Sequence, residues 1–351
     1  LATQLEQRFT AFDAALMRAL LLPLSDGRTV VALTFHHALA DGRSGMNLLK
    51  ALLDNVVRGD SATPDHRLAA GLHDHFPARF DWPRQPEALH RLANLRRAEL
   101  KRHGLPDRLQ GLHATAPNRE ARILRIELDQ EQTRALRQAC QSAACSIHGA
   151  LGAALLLALH EADGRAQDLT LSLTTPADLR PLLDPADGKN PTELLGLYIS
   201  MLSANYPVAA GTGFWPLAKT IGDEVRQTLQ RGDGHLLYHL YQPCSIPADQ
   251  PQALADFNAT VARAHPSALL SNLGVVEAPS GAGDAGVTAM SFALCPMPSQ
   301  CAFAAVTTFS GRLLINLIVD LARMPLKMAE TLAKSLQDRL LANLAPRDPS
   351  T

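Results

Sequence analysis

Two adjacent histidines, an acid and a glycine fall within seven residues in the run His36-His37-Ala38-Leu39-Ala40-Asp41-Gly42. An imidazole has an ordinary pKa of about 6.5, so it can take and return a proton near neutrality. Neighbouring side chains at a strand end point to opposite faces. Only one histidine can face a given cavity, and the other is expected to pack or hydrogen-bond and fix the backbone. Asp41 is suited to orient a histidine or to pair with a distant arginine. Gly42 permits a positive φ or a close approach of substrate to the backbone. The chemistry this pattern points to is general-base catalysis.

Other chemistries fit less well. A metal site built on His36, His37 and Asp41 would need another convergent ligand, and no HExxH or similar spacing occurs. The five cysteines, Cys140, Cys145, Cys244, Cys295 and Cys301, are odd in number and form no CxxC pair. Reduced thiols suit them better than a disulfide framework or a zinc site. No glycine-rich phosphate cradle is present for activating a carboxylic acid with ATP.

The elements around the motif follow from pattern. Apolar positions over 4–18 have helical spacing, or that of a helix leading into a strand. Ser25-Asp26-Gly27 is a turn, and Thr29–Phe35 reads as a buried strand delivering the chain to His36-His37. A helix is expected over 44–57, capped by Ser44. The proline-rich stretch 60–118 reads as a crossover, helical only over 87–103 and mildly basic through Arg91, Arg96, Arg97, Lys101 and Arg102. Beyond it the pattern gives a strand over 121–128, a helix over 130–142 capped by Asp129, and an apolar helix over 147–162. Strands follow near 169–174, 198–206 and 269–276. A hairpin over 302–320 and an amphipathic helix over 325–344 close the chain. The mixture without regular alternation predicts an α+β fold.

The whole-chain balance agrees with a globular protein. Of 351 residues, 46% are hydrophobic and 19% charged, and the formal net charge is −1. Nothing in that balance favours nucleic acid. No apolar stretch reaches the length of a membrane span and no signal peptide is visible, so a cytoplasmic location is expected.

The run His36-His37…Asp41-Gly42 resembles the HHxxxDG motif of the superfamily of chloramphenicol acetyltransferase, alcohol and polyketide-associated acyltransferases, and nonribosomal-peptide condensation domains. Thr174-Thr175-Pro176-Ala177-Asp178-Leu179-Arg180 is similar to the family segment whose arginine pairs with the motif aspartate. Leu195-Gly196-Leu197-Tyr198, Ser271-Asn272-Leu273-Gly274 and the hairpin around Ser310-Gly311 also resemble family patterns. The polyketide-associated and alcohol acyltransferase branch is the most similar. Two departures stand out. Only 35 residues precede the motif, fewer than family members usually carry, and no DFGWG sequence occurs.

The resemblance implies two lobes meeting along a tunnel, the N-terminal lobe being incomplete here. Residues 1–75 would be the remainder of that lobe, 76–118 the crossover and 119–351 the C-terminal lobe. It implies His37 as general base, with His36, Asp41, Gly42 and Arg180 supporting it and Ser271 and Asn272 against the substrate, and no metal. No cofactor is held permanently. The co-substrate would be acyl-CoA or an acyl thioester on a phosphopantetheine carrier protein, and the acceptor a small alcohol or, second, an amine. The crossover arginines Arg91, Arg96, Arg97 and Arg102 are candidate contacts for the donor's phosphates. The contrasting expectation is a non-catalytic docking module for a carrier protein.

Overall fold

The computed structural model describes residues 1–9, 15–58, 71–80, 86–112, 119–185, 194–241, 252, 255–256, 268–279, 286–297 and 300–344. From Ala121 onward the chain builds one sheet with helices on a face. Strand β3 (Ala121–Leu128) is followed by helix α4 (Gln130–Ser142), whose Asp129 cap forms a reciprocal capping box with Gln132. Helix α5 (Ile147–Asp163) is apolar on nearly every side and is therefore buried from Gly149 through His160. It lies in the main core against α6 (Phe214–Gln230) and α8 (Leu326–Ala342).

Under these helices lies a six-stranded mixed sheet of order β3-β8-β7-β6-β4-β5. Strands β4 (Leu169–Asp178) and β5 (Ile199–Val208) are antiparallel. Strand β6 (Ala268–Val276) runs parallel to both β4 and β7 (Ala302–Phe309), and β8 (Arg312–Asp320) returns antiparallel between β7 and β3. The two central returning strands are almost wholly buried and correspondingly apolar.

The N-terminal part is built differently. Helix α1 covers only Ala2–Glu6, shorter than the helical spacing over 4–18 suggests, and 10–14 lie outside the described residues. Strands β1 (Met17–Pro23) and β2 (Thr29–Phe35) form a separate antiparallel pair. Strand β2 is half-buried, not buried as its composition suggests, because among the described residues it pairs with β1 alone. Helix α2 (Gly42–Arg58) follows the motif.

Helix α3 (Pro86–His103) occupies the crossover, whose residues 59–70, 81–85 and 113–118 lie outside the described set. Helices α6 and α7 (Asp233–Tyr241) have no counterpart in the sequence expectations. The signal for α6 was there: Phe214, Leu217, Ala218 and Ile221 repeat at helical spacing, and all are buried.

Candidate active site

The motif loop leaves β2 at Phe35 and enters α2 at Gly42. Asp41 precedes the helix, and its Oδ1 accepts the Ser44 N–H at 2.8 Å. Asp41, not Ser44, is therefore the cap, because its carboxylate reaches the third helical amide. Ser44 is freed for another task. Its hydroxyl donates to the Gly196 carbonyl at 2.9 Å and accepts the Gly196 N–H at 3.0 Å and an Arg180 N–H at 2.6 Å.

Arg180 reaches this point from just beyond β4. Its Nη2 lies 3.1 Å from Oδ1 and 2.9 Å from Oδ2 of Asp41, and both side chains are buried. Its Nε donates to the Leu194 carbonyl at 3.2 Å, its Nη1 to Asp178 at 2.9 Å, and its guanidinium lies 4.8 Å from the Tyr198 ring centre. Asp41 Oδ2 also accepts the Tyr198 N–H at 2.8 Å. The carboxylate is thus bound through both oxygens, to the start of α2 and to Arg180 and Tyr198 of the C-terminal part.

A reciprocal pair stands beside it. Arg43 binds Asp178 at 3.0 Å and donates to the Leu273 carbonyl at 3.0 Å. Asp41-Gly42-Arg43 and Asp178-Leu179-Arg180 are two Asp-x-Arg triplets that exchange partners. The repeat of the triplet marks Arg43 and Asp178 as candidates beside Asp41 and Arg180, but it does not say what either one binds. The Leu273 carbonyl is reachable because β6 has a register irregularity between Asn272 and Val275, where Gly274 takes a φ of +71°.

Gly42 begins α2 without a positive φ. Packing there is tight, since a Cβ would sit 3.3 Å from the Leu273 side chain. Gly196 has a φ of +153°, and the Tyr198 ring occupies the place a Cβ would take. Three distant segments therefore converge on the start of α2: 178–180, 194–198 and 271–274. Ser271 is buried in β6, and the Asn272 side chain accepts the Gly274 N–H at 2.9 Å, bracing the irregularity.

The histidines are both exposed at the loop surface. His37 Nδ1 lies 3.0 Å from the Ala40 carbonyl oxygen. A carbonyl only accepts, so Nδ1 carries the proton and the neutral ring keeps its lone pair on Nε2. In His36 the roles reverse. Its Nδ1 accepts the Ala38 N–H at 3.3 Å, its backbone N–H donates to Leu16, and its ring meets Phe9 edge-on. One imidazole has its basic nitrogen engaged by the loop, and the other has its basic nitrogen free.

Other candidate groups are committed elsewhere. Arg91 pairs with buried Asp233 at 3.4 Å, and Arg96 binds Glu99 at 2.8 Å and the Ser203 carbonyl. Arg97 donates to Asn94 at 2.9 Å. Arg91 and Arg96 fasten α3 to the C-terminal part. Burial pushes the thiols of Cys140 and Cys301 up to about 12, away from nucleophilic thiolate. No group of three or more metal-ligating side chains occurs among the described residues. His148, passed over in the sequence, donates to or accepts from Thr175 Oγ1 at 2.9 Å, and burial pushes its pKa down to about 4.

Residues 117–318 match the family described as the phthiocerol/phthiodiolone dimycocerosyl transferase C-terminus. The chain belongs to this family. No curated protein matches it significantly. Among solved structures, the epimerization domain from the third module of tyrocidine synthetase B is 16% identical with a TM-score of 0.62, over 94% of this chain and 71% of that one. Polyketide synthase associated protein 5 from Mycobacterium tuberculosis is 15% identical with a TM-score of 0.59, over 97% and 79%. The cyclization-docking bidomain EpoB from Sorangium cellulosum is 11% identical with a TM-score of 0.67, over 98% and 66%. At these identities the likeness is one of fold. The family's α+β architecture is the two-lobed chloramphenicol-acetyltransferase-like one that the motif implied. No single helix among the described residues is long and apolar enough to cross a membrane; α4 and α5 pass that test only as a pair bent by 100°.

Proposed function

We propose that this family member is an acyltransferase that moves an acyl group from a pantetheine thioester to an alcohol, with His37 as general base. The observation that carries the reading is the Nδ1 contact of His37 with the Ala40 carbonyl, which puts the lone pair of the neutral ring on Nε2. The family's description as a transferase supports the reaction class.

In this reading Nε2 takes the proton of the acceptor hydroxyl as its oxygen attacks the thioester carbonyl carbon. The tetrahedral oxyanion collapses, the C–S bond breaks, and the departing sulfur recovers the proton from Nε2–H. The histidine ends as it began, and no covalent enzyme intermediate forms. Asp41 and Arg180 act at a distance, by fixing the start of α2 and hence the loop that holds the ring. His36 serves the same backbone. The donor is acyl-CoA or an acyl carrier protein. A carrier-bound thioester is in keeping with the nonribosomal-synthetase and polyketide-associated proteins whose fold the chain shares.

The exposure of both histidines favours a second reading, a docking module that binds a carrier protein without turnover, since a base open to water gives hydrolysis an advantage over transfer. A thiol-trapping dye separates the two. Acyl-CoAs and carrier-bound acyl groups, offered with alcohols and with amines, should release thiol, with ester formed from the alcohols in preference to amide from the amines. His37→Ala should lower that rate by about 10²–10⁴-fold with the melting curve unchanged. A loss under tenfold removes the general base. No release by intact protein across the panel, together with tight carrier binding, replaces the transferase with the docking module.

A further inference from the structure

Helix α4 ends in a tight reversal that carries two cysteines. Past its cap, Ala143, the Ala144 N–H donates to the Gln141 carbonyl at 3.1 Å and the Cys145 N–H to the Cys140 carbonyl at 2.9 Å. Ala144 takes a φ of +50°, a left-handed conformation in which glycine is the usual residue. The two bonds and the left-handed residue make a Schellman ending, in which the third residue before the cap lies beside the second residue after it. Apolar side chains commonly fill that contact. In this helix the two positions are Cys140 and Cys145.

The two sulfurs touch, since the Cys140 thiol donates a hydrogen bond to the Cys145 sulfur. The backbone bond between the same residues keeps their Cα atoms adjacent, as the disulfide span of about 4.4–6.8 Å demands. Their surroundings differ. Cys140 is buried, whereas Cys145 is half-buried and can be reached from solvent. Burial raises the Cys145 thiol, but the Cys140 hydrogen bond and Lys219 of α6 favour its thiolate, with Asp223 opposing. At Cys140, burial first and then Cys145 itself keep the proton on sulfur. The accessible sulfur is therefore also the better nucleophile.

We infer that Cys140 and Cys145 are a redox-active dithiol, which a low-molecular-weight disulfide converts to an internal disulfide across the end of α4. The site is separate from His37 and does not rest on the transfer reaction. The Cys145 thiolate, its proton released to water, attacks one sulfur of glutathione disulfide. The S–S bond of the reagent breaks, and one glutathione leaves as thiolate and takes a proton from water. A mixed disulfide remains on Cys145. The Cys140 sulfur then attacks the Cys145 sulfur, the second glutathione leaves, and the Cys140 proton goes to it. Two electrons pass from the protein sulfurs to the reagent, and two glutathione thiols are formed.

Peptide mapping tests this directly. Trypsin cuts after Arg137 and Arg165, so one peptide, 138–165, holds both cysteines and no other. The folded full chain is equilibrated with mixtures of reduced and oxidised glutathione, quenched in acid, unfolded, alkylated with iodoacetamide and digested. The expected product is peptide 138–165 lighter by two hydrogens and free of alkylation, its yield rising with the oxidised share of glutathione. The equilibrium constant for closure should be at least about tenfold larger in the folded protein than in urea, because the helix end holds the sulfurs together and the unfolded chain does not. Cys140→Ala should stop at the glutathione adduct of Cys145, and Cys145→Ala should leave Cys140 unmodified. A folded wild-type peptide that carries two alkyl groups at every ratio, or that stays as the mixed disulfide, overturns the site. Equal closure in the folded protein and in urea overturns it too, since the spacing alone would then make the bond. The adduct forming on Cys140 and not on Cys145 overturns the order of attack.

Discussion

The chain carries the motif histidines on a sparsely buried part. The β1–β2 pair and the motif loop as far as Ala40 are half-buried at best, with Leu21 69% exposed, whereas β7 and β8 are buried along nearly their whole length. A general base needs a fixed orientation, and a two-stranded ribbon fixes little by itself. The orientation is supplied from the other part: Arg180, Asp178, Gly196 and Leu273 grip the two ends of one triplet, Asp41-Gly42-Arg43. The difference between the parts teaches that rigidity at His37 is borrowed across the chain from β4 and β6.

The sharpest way to break this comparison is to cut the grip. Arg180→Met should cost about 3–5 kcal/mol, because it leaves the Asp41 carboxylate buried without its cation. Asp41→Asn should cost a similar amount and also loosen the cap of α2. The double variant should lose much less than the sum of the two, as measured by denaturant melts and a double-mutant cycle. Strictly additive losses would show that the two parts are stabilised independently and that the motif is held by its own hairpin.

A second test stays within the well-packed part. Burial holds the pKa of His148 down to about 4, against an ordinary 6.5, so between those values the unfolded chain binds a proton that the folded one refuses. Stability should therefore be complete above pH 6.5 and fall as pH drops toward 4, by up to about 3 kcal/mol in total. His148→Gln keeps a partner for Thr175 and should flatten that window, read as melting midpoint against pH. A slope unchanged by the substitution would show that other groups govern the acid limb.

How far the molecule could be read in advance divides along the same line. Local rules were sufficient in the C-terminal part. The Asp129 capping box, the all-apolar α5 and the hairpin at Ser310-Gly311 each follow from a few neighbouring residues, and each forms where the pattern puts it. The pairing of Asp41 with Arg180 was legible through family resemblance, since 139 residues separate them and no local rule joins them. The roles of Ser44, Arg43 and Leu273 were not legible. Ser44 has the composition of a cap, and only the arrival of Arg180 and Gly196 turns it into a junction. The Leu273 carbonyl enters through an irregularity in β6 that backbone geometry creates. Strand β2 looked buried because its residues are apolar, but burial depends on neighbours that a single strand does not specify.

The smallest expected effect probes the exposed part directly. Leu21 lies on β1 opposite Val31 and is 69% exposed, so it loses little contact with water on folding. Leu21→Thr keeps a good strand former at the position and removes only surface hydrocarbon. The denaturation midpoint should change by no more than about 0.5 kcal/mol, and acyl transfer should be unaffected. The same kind of change at Ile318, fully buried in β8, should cost several-fold more, because an unpaired hydroxyl and a lost methylene enter a packed core. If Leu21→Thr instead cost more than about 1 kcal/mol, the outer face of the hairpin would be covered in solution, for instance by a second copy of the chain. That loss would then shrink on dilution, as the wild-type pair also separates, and the contrast between a borrowed and a self-supporting half would have to be redrawn around the covering surface.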